Sequence, residues 1–232
     1  MMIGKKLFIR LTAVLIFCLV LGVGFSSKSA LTDRASAQAG LETGQRFSLP
    51  SAVIQEQSNL AQTPSSYSGY TLITDNEEKI RVQVPVEWSD IETGTWDFKG
   101  KKTGVFLAAS ANLADFYSIN SQSGVLIGFS HSLAQTYDKD GLLGLEKRDL
   151  SLQCVHKGRF DYHNQFYSGK YDHFTNCSGT PGLMVFTTAS ADGKALILIR
   201  IAVLSEADLE AVDTIINTFQ VLGDPEFDEH HQ

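Results

Sequence analysis

The sequence predicts an α/β (α+β) domain with a mainly antiparallel sheet, carried on a chain that begins with an export signal. Three stretches carry that expectation. They are an aromatic hairpin bounded by Cys154 and Cys177, a nearly all-apolar strand at Ala195–Leu204, and an amphipathic helix directly after it. Aromatic and β-branched residues at period 2 suit a pleated, half-buried surface, and apolar residues at helical spacing suit a helix packed on that surface.

The first 37 residues have the layout of a secretory signal. Lys5, Lys6 and Arg10 precede the apolar run Leu11–Phe25, and Ala35-Ser36-Ala37 supplies a small-residue cleavage site. The run is short for a membrane span; an uncleaved N-terminal anchor is the alternative. Cys18 follows the bulky Phe17 inside the run, so it lacks the small residue that a lipidation site needs. Cleavage at Ala37 would remove Lys5, Lys6, Arg10, Lys28 and Arg34 against Asp33, and so move the formal charge from −7 to −11. An acidic protein repels phosphate backbones and anionic lipid, which argues against a nucleic-acid partner and leaves the signal as the sole membrane contact.

Residues 38–66 are rich in Gln, Ser, Ala and Thr without apolar periodicity and read as a flexible linker. The folded domain is expected over 67–222, and the tail 223–232 reads as a frayed acidic segment. Within the domain, Tyr70–Thr74 and Ile80–Val84 form two strands around Asp75-Asn76-Glu77-Glu78, with Pro85 ending the second. Val105–Ser110 is a third strand, Asn112 caps a short helix through Tyr117, and Val125–Phe129 is a further strand. Residues 133–150 read as helical, interrupted at Asp140-Gly141 and Gly144.

The hairpin follows. Phe160 and Tyr162 alternate before the polar His163-Asn164-Gln165 tip and Tyr167, Gly169 and Tyr171 after it, with a bulge expected at Ser168-Gly169. Facing strands can bring Cys154 and Cys177 to disulfide distance, and an exported protein meets an oxidising environment. Closing a loop of about 24 residues is worth roughly 3–4 kcal/mol on the chain-entropy account. Two buried free thiols are the alternative. Gly182–Thr188 and Ala195–Leu204 flank a second turn, and only Arg200 interrupts ALILIRIAVL, the pattern of a central strand covered on both faces. Ser205 and Asp208 form the start of the last helix, with Leu204 placed to staple onto Leu209, and Leu209, Val212, Ile215, Ile216 and Phe219 mark its inner face.

Taken in order, VQVPVEW (82–88), SANLADFY (110–117), SGVLIGFS (123–130), the Cys…Tyr…Gly…Cys hairpin and the closing NTFQV (217–221) resemble the PsbP/Mog1-like family, in its bacterial extracytoplasmic form. Some members of that form are fused to trypsin-like serine proteases. The resemblance spans about 67–222 and implies an α/β/α sandwich around a mainly antiparallel sheet. It also implies binding or assembly rather than catalysis: family members serve as photosystem II subunits and assembly factors or bind a small GTPase. No family site motif maps onto this chain, and the lipobox of typical cyanobacterial members is missing.

The residues themselves carry little chemistry. There is no Gly-Asp-Ser-Gly-Gly or G-x-S-x-G nucleophile segment, so hydrolysis is disfavoured. His156, His163 and His173 are weak metal candidates, because their parity differs across two strands and no metal or cofactor is expected. Tyr162, Tyr167 and Tyr171 on the hairpin, with Trp96, are the candidate contact surface for a partner protein, since tyrosine suits interfaces. Core packing explains the tyrosines equally well, and Trp88 is assigned to the core. The expected function is therefore a secreted or periplasmic non-catalytic binder of an envelope or extracellular protein. A small-molecule or metal binder at a sheet-edge cleft is the alternative.

Overall fold

The computed structural model describes residues 66–119, 121–177 and 180–222. The expected export segment, nearly all of the linker and the acidic tail lie outside the described residues. The folded part is mixed α/β, mostly strand. Strands β1 (Tyr70–Thr74) and β2 (Ile80–Pro85) pair antiparallel, and the short β10 (Gln220–Val221) adds to the other edge of β2 to make a three-stranded sheet. The turn between β1 and β2 is built on Asp75. Its carboxylate, 4% exposed, accepts the backbone N–H groups of Glu77, Lys79 and Ile80, which is how a short acidic side chain replaces a backbone partner.

The larger sheet has seven strands, β3 (Asp90–Phe98), β4 (Lys101–Ser110), β5 (Gly124–Ser130), β6 (Val155–His163), β7 (Ser168–Cys177), β8 (Thr180–Ala189) and β9 (Leu196–Val203), in the order β3-β4-β5-β9-β8-β7-β6. Every neighbouring pair is antiparallel. Strand β9 is central, and seven of its eight residues are buried. Its odd positions, Ile197, Ile199, Ile201 and Val203, join one apolar cluster with Leu209, Val212, Ile215 and Ile216 of the last helix, α4 (Glu206–Thr218). Leu196 and Leu198 join another with Leu133 of α2 (His131–Ala134) and Leu142 and Leu143 of α3 (Lys139–Leu150). Ala202 packs with Leu113 and Phe116 of α1 (Leu113–Ile119). Both faces of β9 are thus covered except around Arg200, which explains its nearly unbroken apolar run.

Helix α4 starts as its sequence indicates. Ser205 is the N-cap, and a reciprocal capping box joins it to Asp208. Asp208 is fully buried and also accepts the hydroxyls of Tyr67 and Ser123 and the backbone N–H groups of Leu204 and Ser205. One carboxylate therefore ties the chain before β1, the segment before β5 and the start of α4 together. The expected staple from Leu204 to Leu209 does not form. Leu204 packs with the α1 cluster and Leu209 with the cluster of α4, so the pleat sends them to different sides.

Three local expectations are corrected. Residues 90–98 form edge strand β3, joined to β4 by the two-residue turn Lys99-Gly100 with φ 54° and 77°. Paired positive-φ residues match the right-handed twist of a hairpin. The helical stretch breaks before Asp138, whose side chain caps Gly141 N at 2.6 Å, so Gly141 and Gly144 lie inside α3. The bulge of the long hairpin falls in its first arm, between His156 and Gly158, while Gly169 keeps regular register opposite Tyr162. At the tip, Asn164 accepts from Phe166 N and Tyr167 N and donates to the carbonyl of Ile216, fastening the hairpin to α4. Cys154 and Cys177 are joined by a disulfide with Cα atoms 4.1 Å apart.

Candidate functional site

Strand register places one row of side chains across all seven strands. Glu92 stands opposite Ala108, Ala108 opposite Leu126, and Leu126 opposite Arg200. The row continues through Val185 and Asp172 to Arg159. Side chains on opposed positions share a face, and this face carries α3. There Arg200 donates through Nε to Oε2 of Glu146 at 2.8 Å, with a second bond from Nη2. Glu146 is 1% exposed, and Arg200 is the only half-exposed residue of β9. A lone charge in a core strand is thus balanced by the helix above it, as a buried carboxylate requires.

A cleft of about 420 Å³ opens beside this pair. Phe106, Leu126 and Leu198 make its apolar floor, with Trp96 and Phe98 against it. The indole of Trp96 runs from the edge strand over β4 and lies against Gly128 of β5, where an added Cβ would sit 2.5 Å from the ring. The absence of a side chain at Gly128 therefore seats Trp96 flat on the sheet. Two polar contacts border the cleft. From α1, the Tyr117 hydroxyl donates to Glu92 Oε2 at 2.9 Å; partial burial and then this carboxylate push its pKa up, so it stays a neutral donor. From the β3–β4 turn, Lys99 Nζ meets Asp149 Oδ2 of α3 at 2.5 Å and holds the Asp149 carboxyl below its ordinary range. Glu92, Thr95, Asp97 and Lys99 line it as exposed residues of β3 and its turn.

The other end of the row is a closed cluster. Asp172, fully buried, accepts Arg159 in a fork at 2.8 and 2.7 Å, and this carboxylate raises the pKa of the guanidinium. His156 Nε2 approaches the same carboxylate to 3.1 Å without hydrogen-bond geometry. Asp140 of α3 adds Lys170 at 3.0 Å. This arrangement fastens α3 to the hairpin.

The expected contact surface is overturned. Tyr162, Tyr167 and Tyr171 are 4%, 5% and 1% exposed and belong to the core cluster beneath α4. Tyr171 stacks on Phe186 at 4.8 Å, Tyr162 meets the same ring edge-on at 5.4 Å, and Tyr167 stacks on Phe219 at 4.7 Å. Trp96 is 5% exposed. Tyr162, Tyr171 and Trp96 face packed side chains because their strands present these positions to a covered face. Tyr167, in the turn before β7, is held by Asn164 and stacked on Phe219. Trp88, expected in the core, is there. The three histidines do not converge. His156 lies beside Asp172, His163 is exposed at the hairpin end, and His173 alternates with the α3-facing Asp172 and Phe174. Among the described residues, no three His, Cys, Asp or Glu side chains are grouped to hold a metal ion.

Sequence reasoning missed the cleft because it placed no element between Pro85 and Val105. The signal was there in β-branched Ile91, Thr93 and Thr95 leading into Trp96 and Phe98, and in the Lys-Gly turn that follows. No helix among the described residues is long and apolar enough to cross a membrane. No family model and no curated protein matches the sequence.

Proposed function

We propose that this is an exported, non-catalytic binding domain that takes a small ligand into the cleft between α1, α3 and the β3–β4 hairpin. The observation that carries the reading is the cleft itself: about 420 Å³, with an apolar floor and a few fixed polar groups at its border. Small-molecule sites have this character and this size. The disulfide supports an extracytoplasmic setting. With the hairpin tyrosines in the core, the cleft favours a small ligand over a partner protein held on the hairpin. Helices against both faces of β9 support the three-layer arrangement that the PsbP/Mog1-like resemblance implies.

The test is a metabolite screen by thermal shift on the full chain and on Leu126→Trp, which fills the cleft from its floor. Ligands that raise the melting temperature of the first and not of a folded second establish the site. Hits that stabilise both proteins alike place binding elsewhere and overturn the reading.

A further inference from the structure

Charge around the cleft is unevenly distributed. Four carboxylates line it, Glu92, Asp97, Glu146 and Asp149, against two cations, Lys99 and Arg200. Both cations are committed, Lys99 to Asp149 and Arg200 to Glu146. The surplus is therefore Glu92 and Asp97, both exposed on β3. Glu92 is oriented by the Tyr117 hydroxyl, a neutral donor that leaves its charge uncancelled.

We propose that the cleft selects a small molecule with an ammonium head on an apolar, preferably aromatic, body; this rests on reading the cleft as the binding site. The body lies on Phe106, Leu126 and Leu198, and the ammonium meets Glu92. The protein already makes the same kind of pairing internally. Lys99 Nζ lies 5.8 Å from the centre of the Phe98 ring while bonded to Asp149, so an ammonium group sits between ring and carboxylate at the cleft border. An anionic ligand has no comparable partner. To approach Arg200 it must share a guanidinium already neutralised by Glu146, beside the unpaired charge of Glu92.

The experiment compares three probes of one shape on the full chain by titration calorimetry: phenethylamine, 2-phenylethanol and 3-phenylpropionate. The amine is expected to bind about tenfold more tightly than the carboxylate, since like charges brought together are strongly disfavoured. Glu92→Gln, at an exposed position, is expected to weaken the amine by about three- to tenfold and to leave the alcohol unchanged. If all three probes bind equally and Leu126→Trp abolishes them all, the charge assignment fails and the cleft reading stands. Amine binding that survives in folded Leu126→Trp, or no binding of any probe, overturns both.

Discussion

Arg200 and Glu146 are joined from the centre of the sheet to the buried side of α3, the guanidinium half-exposed and the carboxylate almost wholly covered. Removing the cation alone is the damaging change. Arg200→Met is expected to cost about 2–4 kcal/mol, because it strands a buried carboxylate. Adding Glu146→Leu is expected to recover most of that loss, since an apolar pair of similar volume needs no compensation. Urea unfolding of the two variants checks this; equal stability of single and double variants would contradict it.

Trp96 owes its position to the missing side chain at Gly128. Gly128→Ala places a methyl group 2.5 Å from the indole and must displace it. The expected cost is about 1–3 kcal/mol, together with a changed near-ultraviolet dichroism signal. Combining it with Trp96→Leu is expected to relieve the clash, so the second substitution costs less in the Gly128→Ala background than alone.

The Cys154–Cys177 disulfide closes the long hairpin at its open end. On the chain-entropy account, replacing both cysteines by serine is expected to cost roughly 3 kcal/mol. Urea midpoints measured with and without reductant should coincide for the variant and differ for the native chain.

Alkaline stability should report on Tyr171. Burial pushes its hydroxyl up to about 12, above the ordinary tyrosine value of about 10. A raised folded value means the contribution is complete below pH about 10 and is lost as pH climbs toward about 12. Tyr171→Phe cannot ionise there, so its alkaline unfolding midpoint is expected at higher pH. An unmoved midpoint would show that another group triggers the transition.

Much of the architecture was legible because several signals agreed locally. Strand β9 combined length, apolarity and a lone Arg200, and helix α4 combined a Ser205–Asp208 cap with helical spacing. The hairpin was legible as a hairpin, yet the direction of its tyrosines was not. Period-2 spacing says that Tyr162 and Tyr171 alternate with their neighbours but not which face is covered, and α4 covers the face they share. The cleft was least legible. It depends on a register that aligns Glu92 with Arg200 through Ala108 and Leu126, positions more than 100 residues apart in sequence at the extremes. One of its polar groups, Glu146, is buried, and no local pattern announces that burial.

The chain enters the folded part through β1 and leaves it through β10, and both strands lie on β2. Tyr70 pairs with Pro85 at one end of β2, while Val221 pairs with Ile80 at the other. Tension applied between these ends therefore runs along the strands in opposite directions. It loads the ladder bonds of the small sheet together, in shear, and does not peel them one at a time. A pull on the segment before Tyr70 meets the Tyr67–Asp208 tether and then this sheet, ahead of the strand pairs of the seven-stranded sheet that carries the cleft.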